Sequence, residues 1–409
     1  MRISTNQIFL RGVNSMQVQQ QRLLELQQQV STGKRVQFPS DDPIAAAQIE
    51  QLNKRIDSAT RLKDNNESAK GILSFEESIL DNSINVIQRL RELQLQASNS
   101  ALSDEDRKTI AAEARSLQDQ LVSLANTQDS DGSYIFSGSR TNVATISRNG
   151  AGQFVYGGDE LILRQDVTLG LRVALNDTGS DLYMRLPNGN GRFTVTQPGN
   201  AGTVVATSGA VTQEASYVED DYTVSFTTNT AGDMVVLVSG AVSGNIIPPT
   251  GLPDDAPLYE SGNTISFNGI EIKFTGVPQA GDSFSLQPSV NESVFATIDR
   301  MVANLEKSSV NNFDKAAIQT ENNQMMEQLD TALDNLLNHQ ADVGARLNQL
   351  DIAEFVNQDL IDTSIEIKTK LEDVDLPSVA VELNLQRIYL QAAQQTFAMI
   401  QGLSAFNFL

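Results

Sequence analysis

Apolar residues recur every three or four positions at both ends of the chain, whereas apolar and polar residues alternate through its middle. The first pattern follows the period of an α-helix, and the second follows the period of a β-strand. Near the N-terminus, Met16, Leu23 and Val30 are seven residues apart and predict a helix over residues 6–31. Helices are therefore expected at both ends, with a β-rich region between them.

A short turn separates this first helix from a much longer one. Ser31-Thr32-Gly33 ends the first helix, because glycine readily adopts the left-handed conformation that follows many helix C-termini. Asp42 is predicted to be the N-cap of the second helix, and Pro43 its first residue. Apolar residues then keep helical spacing to about Asn99, a length typical of a rod. A third helix is predicted after Ser103-Asp104-Glu105-Asp106, a run typical of a helix N-terminus.

The central residues 141–290 predict an all-β domain of two sheets or a barrel. Tyr222, Val224 and Phe226 alternate with threonine and serine, as residues of a half-buried strand do. The pair Asn268-Gly269 lies between two alternating runs and predicts a hairpin with a type I′ turn. Further strands are expected at residues 153–156, 192–196, 202–206 and 235–238.

Helical spacing returns after Asn291. It predicts a short amphipathic helix over residues 294–305 and a long helix from about Asp314 to Leu371. The run Asp373-Val374-Asp375-Leu376-Pro377 is expected to end this long helix, and a last helix is predicted from Ser378.

The last helix is apolar on two adjoining stripes, whereas docking onto one core requires a single stripe. We expect the first stripe to pack against Met16, Leu23 and Val30 of the first helix, and the second stripe to contact other protein chains. The first stripe comprises Leu383, Leu390 and Phe397, and the second comprises Leu385, Ile388, Met399, Leu403 and Phe406. These residues together form the predicted assembly interface.

The elements predict a multidomain α+β protein. Both chain ends are expected to pair in a long, antiparallel, coiled-coil-like helical rod with an all-β domain inserted at its middle. Three regions are predicted: a terminal coiled-coil domain of residues 1–40 and 376–409, a rod domain of 41–140 and 291–375, and a β-rich insert domain of 141–290.

Charge and composition exclude several classes of function. The formal net charge of −22 opposes binding to nucleic acids and to anionic membranes, where clustered basic residues carry the affinity. The chain has no cysteine, so it has no disulfide framework and no thiolate site. The N-terminal sequence lacks the apolar core of a cleaved signal peptide, and no apolar run is long enough to predict a transmembrane helix.

The sequence gives no support for catalytic chemistry. His339 is the single histidine and is expected to be an exposed helix residue without a metal or catalytic partner. The acidic pairs Asp220-Asp221 and Asp254-Asp255 are interpreted as solvated loop charges. No catalytic, cofactor-binding or metal-binding residue is predicted, and the chain is not expected to be an enzyme. A catalytic or sugar-binding β domain is the alternative from another class, but no aromatic platform or acid pair indicates it.

Several motifs in the two helical arms resemble those of the bacterial flagellin family. They are Met1–Asn6, Gln88–Leu93 with Gln96–Asn99, Gly132–Gly138, and Val343–Leu347. Ser31–Val36 followed by Pro39-Ser40-Asp41-Asp42-Pro43, and the ending Leu383–Gln386 through Ala405–Leu409, are more similar to the members that form the junction between hook and filament. The resemblance covers both arms and reaches the β domain only loosely.

This resemblance implies a structural protein of the flagellum, exported by the flagellar type III apparatus without a cleaved signal. It implies an extracellular ring of subunits at the hook–filament junction, between a hook-side junction protein and flagellin. It also implies that an export chaperone covers the C-terminal tail before secretion, and it implies no cofactor. The alternative within the family is a flagellin-type filament subunit, against which the tail and the Pro39–Pro43 motif argue.

Overall fold

A computed structural model of the chain describes residues 5–99 and 102–402, which form helices at both ends around a central region of strands. The helices within these residues are α1 (Thr5–Thr32), α2 (Pro43–Ala97), α3 (Asp104–Ala125), α4 (Val294–Leu305), α5 (Asn312–Glu372) and α6 (Leu376–Gly402). The α+β architecture predicted from the hydrophobic pattern is confirmed.

The described residues fall into two compact units. One unit holds residues up to Asn66 together with those from Ile352 onward, and the other holds Glu67–Asp351. The boundaries near residues 40 and 375 that the sequence predicts are finer than this division, and they stay predictions.

Helix ends follow the local signals in the sequence, with one exception. Ser103 caps α3 in a capping box, since its hydroxyl accepts a hydrogen bond from the Asp106 amide at 3.2 Å and Asp106 accepts one from the Ser103 amide at 3.2 Å. The last helix begins at Leu376, so the predicted start at Ser378 is wrong. Pro377 lies in the first turn, where a residue without an N–H breaks no intrahelical hydrogen bond.

The strands of the central region are short and pair in antiparallel fashion. They are β1 (Ile146–Arg148), β2 (Phe154–Tyr156), β3 (Arg164–Thr168), β4 (Leu171–Ala174), β5 (Leu186–Pro187), β6 (Phe193–Thr196), β7 (Val205–Ala206), β8 (Ala210–Val211), β9 (Tyr222–Thr228), β10 (Met234–Gly240), β11 (Gly244–Ile247), β12 (Thr264–Phe267), β13 (Ile270–Thr275), β14 (Ser283–Pro288) and β15 (Asn291–Glu292). The predicted strand at residues 202–206 is shorter than expected, since only Val205–Ala206 pair.

Residues from β6 to β14 form a sandwich of two sheets around one core. One sheet has the strand order β11-β10-β9-β14-β6, and the other has the order β12-β13-β7 with β8 also paired to β13. Side chains of both sheets fill the core, among them Tyr222, Phe226, Phe274 and Phe284. The predicted Asn268-Gly269 turn joins β12 to β13, and both residues have positive φ, as a type I′ turn requires.

The region before β6 packs on helices and contributes nothing to the core of the sandwich. The ring centroids of Phe154 and Phe295 are 4.9 Å apart, which places β2 against α4. Tyr183 is fully buried, and its hydroxyl lies 3.0 Å from that of Ser83 in α2. The β-rich residues therefore serve two cores, a division that strand periodicity alone does not reveal.

Helix α5 holds the sandwich through its edge strands. Gln324 Oε1 accepts a hydrogen bond from the Val195 amide at 3.3 Å, and Thr320 Oγ1 accepts one from the Ala206 amide at 3.3 Å. Asn323 Nδ2 donates to the Ala206 carbonyl at 2.9 Å. These bonds pair strand backbone groups of β6 and β7 and hold both edges against the helix.

Two buried carboxylates fix loops of the sandwich. Asp282 accepts hydrogen bonds from the amides of Ala201 at 2.8 Å, Gly202 at 3.0 Å and Gln279 at 2.8 Å. Asp220 is also buried and accepts bonds from the amides of residues 242 and 243. The interpretation of Asp220 as a solvated loop charge is therefore wrong, because backbone N–H groups replace its water.

Replacing Asp282 with alanine is expected to lower the free energy of unfolding by about 1–3 kcal/mol, since buried amide donors lose their acceptor. Asp282→Asn retains an acceptor oxygen and should lose less. Chemical denaturation followed by circular dichroism measures both changes. Asp221→Ala is the control, because Asp221 is exposed beside the equivalent carboxylate of Asp220. Equal losses in D282A and D221A would contradict the assigned role.

Candidate functional site

Helices α1 and α6 pack antiparallel within their unit. Arg22 Nη2 contacts Glu382 Oε1 at 2.9 Å, and Gln386 Nε2 donates to the Gln19 carbonyl at 3.4 Å. Towards the start of α1, a Cβ at Gly12 would lie 3.0 Å from the Phe397 ring, so the glycine leaves room for that ring. The pairing of chain ends expected from the sequence is thus present in the structure.

Backbone hydrogen bonds join the two chain ends at the base of this pair. Gly33 has a φ of 71° and follows the end of α1, which is a conformation that favours glycine. The Val374 amide donates to the Gly33 carbonyl at 3.0 Å, and the Arg35 amide donates to the Glu372 carbonyl at 2.6 Å. The base is therefore fixed by main-chain bonds in addition to side-chain packing.

Two aspartates organise the turn that leads from α1 to α2. Asp41 Oδ2 accepts hydrogen bonds from the amides of Phe38 at 2.9 Å and Gln37 at 3.0 Å, and these bonds lower the pKa of Asp41. Asp42 Oδ1 accepts a bond from the Ala45 amide at 3.1 Å, and this bond, with the contact to Arg35, lowers the pKa of Asp42. The Asp42-Pro43 pair thus occupies the cap and first helical position that the sequence predicts.

The first predicted stripe lies between α1 and α6, with one exception. Met16 and Leu23 of α1 are half-buried, as are Leu383, Leu390 and Phe397 of α6. Val30 is 41% exposed, so it is not a buried member of the pair. The fully buried residue of α1 is Leu26, which lies one helical turn from both Leu23 and Val30.

The second predicted stripe is exposed. The exposed fractions are 45% for Leu385, 58% for Ile388 and 64% for Met399. Leu403 and Phe406 lie outside the described residues. Val381 and Tyr389 are also exposed on α6 but do not belong to the predicted stripe, although Val381, Leu385 and Ile388 keep helical spacing. Apolar side chains in such numbers on one helix form a surface suited to another protein chain.

The other unit contains a buried polar cluster, which comprises Glu76, Asp177, His339 and Arg346. The Asp177 carboxylate lies 2.8 Å from Arg346 Nη2 and 3.4 Å from His339 Nδ1. The Asp177 amide donates to Glu76 Oε1 at 3.0 Å. The interpretation of His339 as an exposed residue is wrong, because its side chain is half-buried beside a carboxylate that the sequence places far away.

Burial and neighbouring charges shift the pKa values of Glu76, Asp177 and His339 in this cluster. Burial, with the nearby Asp177 carboxylate, raises the pKa of Glu76 to about 8. The Asp177 carboxylate raises the pKa of His339 despite the opposing effect of burial. Burial opposes ionisation of Asp177, but the His339 and Arg346 side chains outweigh burial and lower the pKa of Asp177.

A second buried network is made of amide side chains. Asn322 Oδ1 accepts hydrogen bonds from Gln94 Nε2 at 2.9 Å and Asn304 Nδ2 at 3.0 Å. These residues belong to α2, α4 and α5, so one amide oxygen ties three helices together. Such a network fixes helix register, because any slip leaves buried polar atoms unpaired.

Within residues 5–99 and 102–402, no group of three or more acidic or histidine side chains is placed to hold a metal ion. None of the described helices is both long and apolar enough to cross a membrane.

Comparison with known proteins identifies the family. Residues 3–141 match the model of the bacterial flagellin N-terminal helical region. The crystal structure of flagellar hook-associated protein 3 from Legionella pneumophila is 50% identical and aligns with a TM-score of 0.78, over 79% of this chain and 98% of that one. The chain belongs to the hook-associated protein 3 family. The family's fold agrees with the helices and the central strands described above.

Two further relatives distinguish the likeness to hook-associated protein 3 from the likeness to flagellin. Flagellar hook-associated protein 3 of Salmonella typhimurium is 25% identical over 100% of this chain and 99% of its own length. A flagellin of Listeria innocua is 28% identical, but only over 36% of this chain and 50% of its own length. The likeness to hook-associated protein 3 therefore extends through the β region, whereas the likeness to this flagellin does not cover the whole chain.

Replacing Leu26 with alanine is expected to lower the free energy of unfolding of its unit by about 2–5 kcal/mol, because the side chain is fully buried. Hydrogen exchange of α1 and α6 amides measures this change. Leu24→Ala is the matched control two residues away, where leucine is 63% exposed and the loss should stay below about 0.5 kcal/mol. Similar losses in both variants would show that α1 is not packed by the Leu26 face.

Proposed function

We propose that the chain is a structural adaptor of the bacterial flagellum that joins the hook-side junction protein to the flagellin filament. The observation that carries this proposal is the 50% identity to the Legionella pneumophila hook-associated protein 3, over 98% of that protein. The proposed role rests on packing and assembly, and it is not enzymatic. The β sandwich adds bulk beside the helices, and no ligand is assigned to it.

The second apolar stripe of α6 supports an assembly role. Leu385, Ile388 and Met399 are exposed, while the neighbouring stripe already packs with α1. Exposed apolar area of this kind is costly in water and becomes favourable when another chain covers it. We infer that copies of the chain form a ring and that this stripe contacts neighbouring subunits, with Leu403 and Phe406 continuing it.

Export and location follow from the same proposal. The protein is exported by the flagellar type III apparatus and reaches the extracellular junction of hook and filament. Before export, a chaperone covers the C-terminal tail, whose second stripe is the surface that needs protection from water. The terminal, rod and insert domains, with boundaries near residues 40, 140, 290 and 375, are the proposed division of the assembled subunit.

A flagellin-type filament subunit is the second candidate, favoured by the family-model match over residues 3–141. Purified protein that grows long filaments by itself would support this candidate. Purified protein that stays monomeric or forms short rings, and that binds flagellin, would support the adaptor.

Deletion of the gene is the direct test of the adaptor. The expected cells carry hooks without filaments and release flagellin into the medium, because flagellin has no surface on which to assemble. Electron microscopy and immunoblotting of the medium measure the two effects. Normal filaments on a clean deletion strain would overturn the proposed function.

The double variant Leu385→Gln, Ile388→Gln is expected to keep the melting temperature of the wild type, because both side chains are exposed in the single chain. It should fail to restore filaments in the deletion strain, because its contact surface becomes polar. Circular dichroism and motility assays measure the two properties. The matched control is Asn384→Gln, Arg387→Gln, which changes two exposed polar residues of the same helix and should restore motility. Full motility of the apolar-to-polar variant would contradict the role of this stripe.

A further inference from the structure

The buried polar cluster joins three segments that are far apart in sequence. Glu76 belongs to α2, Asp177 follows β4, and His339 and Arg346 belong to α5. Asp177 makes contacts in both directions, since its amide donates to Glu76 and its carboxylate lies 2.8 Å from Arg346. This single residue therefore ties the segment after β4 to two helices.

The cluster depends on protons for its charge balance. The guanidinium of Arg346 carries one positive charge and can balance one buried carboxylate. The carboxylate that it contacts is that of Asp177. Glu76 Oε2 is buried and has no hydrogen-bond partner among the described residues. The other titratable groups that act on Glu76 and His339 are Asp181, Tyr183 and Asp342. None of these adds a positive charge, so an ionised Glu76 carries an unbalanced negative charge in the interior once His339 is neutral.

The segment held by the cluster also forms a wall of a cavity. The cavity has a volume of about 520 Å³ and is lined by α2, by residues of the loop 129–141 and by the residues that flank the hairpin of β3 and β4. Leu163, Leu175 and Asn176 are the flanking residues, and Ile72 and Phe75 belong to the α2 wall. Any movement of the segment after β4 away from α2 changes this apolar cavity.

We propose that the buried polar cluster is a proton-controlled latch. It holds residues 176–185 against α2 and α5 while Glu76 is protonated, and it loosens this segment and the cavity wall when Glu76 ionises. The latch is a property of the unit that contains residues 67–351, and it is independent of the proposed adaptor function.

The sign of the pH effect follows from proton linkage. The pKa of Glu76 is about 8 with the segment closed and returns towards 4.5 when the segment opens. The closed state therefore binds the proton more tightly, and its stability falls as the pH rises from about 4.5 to 8, then levels off. His339 acts with the same sign above pH 6.5, because its pKa is also raised. Ionisation of Asp177 has the opposite effect and stabilises the closed state, but its lowered pKa affects stability only near and below pH 3.8.

Hydrogen exchange of the full-length protein between pH 5 and pH 9 tests the latch. After correction for intrinsic exchange rates, the protection of the amides of residues 177–185 should fall by up to about tenfold per pH unit through Glu76 until pH 8, with a further fall through His339 above pH 6.5. The amides of Ala201 and Gly202, which Asp282 holds in the sandwich, should keep constant protection. Constant protection of residues 177–185 in the wild type would overturn the proposal by itself.

Two variants locate the effect. Glu76→Gln retains an acceptor for the Asp177 amide but cannot ionise, so the pH dependence between 5 and 6.5 should disappear and only the contribution of His339 should remain above pH 6.5. Glu92→Gln is the matched control, because Glu92 lies on the same helix with an exposed side chain, and it should keep the wild-type slope. A wild-type slope in E76Q, or a flattened slope in E92Q, would overturn the proposal. Circular dichroism verifies that both variants fold. If E76Q does not fold, the pH profile of the wild type decides the test by itself.

Discussion

The requirement that buried backbone groups be hydrogen-bonded decides how the β region is attached to the helices. An apolar helix face could bury the edges of β6 and β7, but it would leave the amides of Val195 and Ala206 unpaired. Helix α5 instead presents Gln324 and Thr320 to these amides at 3.3 Å. Helix α5 therefore carries polar side chains where it faces the sandwich. Their hydrogen bonds to the edge strands β6 and β7 fix the orientation of the sandwich on the helix.

The parts of the fold that the sequence could predict are those that depend on residues close together in the chain. Helices and hairpins depend on local spacing and turn chemistry, so the ranges of α1 to α5 and the Asn268-Gly269 turn follow from the sequence within a few residues. Contacts such as His339 with Asp177 depend on residues 162 positions apart in the chain, and no local pattern reports them. The sequence predicts exposed positions for His339 and Asp220, because most residues of these types lie at or near the surface, whereas Asp220 is buried and His339 is half-buried.

The predicted assembly interface shows the value and the limit of periodicity. Leu383, Leu390 and Phe397, spaced seven residues apart, are half-buried on α6, and the Phe397 ring lies beside Gly12 of α1. The same spacing selects Val30, which is exposed, whereas the buried Leu26 lies one turn away. A repeat of seven drifts around a helix of 3.6 residues per turn, so a stripe that spans about four turns leaves the contact face at one end.

The two units differ in the kind of side chain at their helix contacts. In the unit of residues 67–351, polar networks fill positions between helices and make each contact specific, because a buried donor must be paired with an acceptor at the right place. In the unit of the chain ends, α1 and α6 bury one stripe and leave a second apolar stripe in water. Apolar contact is not directional, so it tolerates several different partners in turn. A surface that, under the proposed function, meets a chaperone first and neighbouring subunits later is suited to apolar side chains, whereas a contact that must form with one partner in one register is suited to hydrogen bonds.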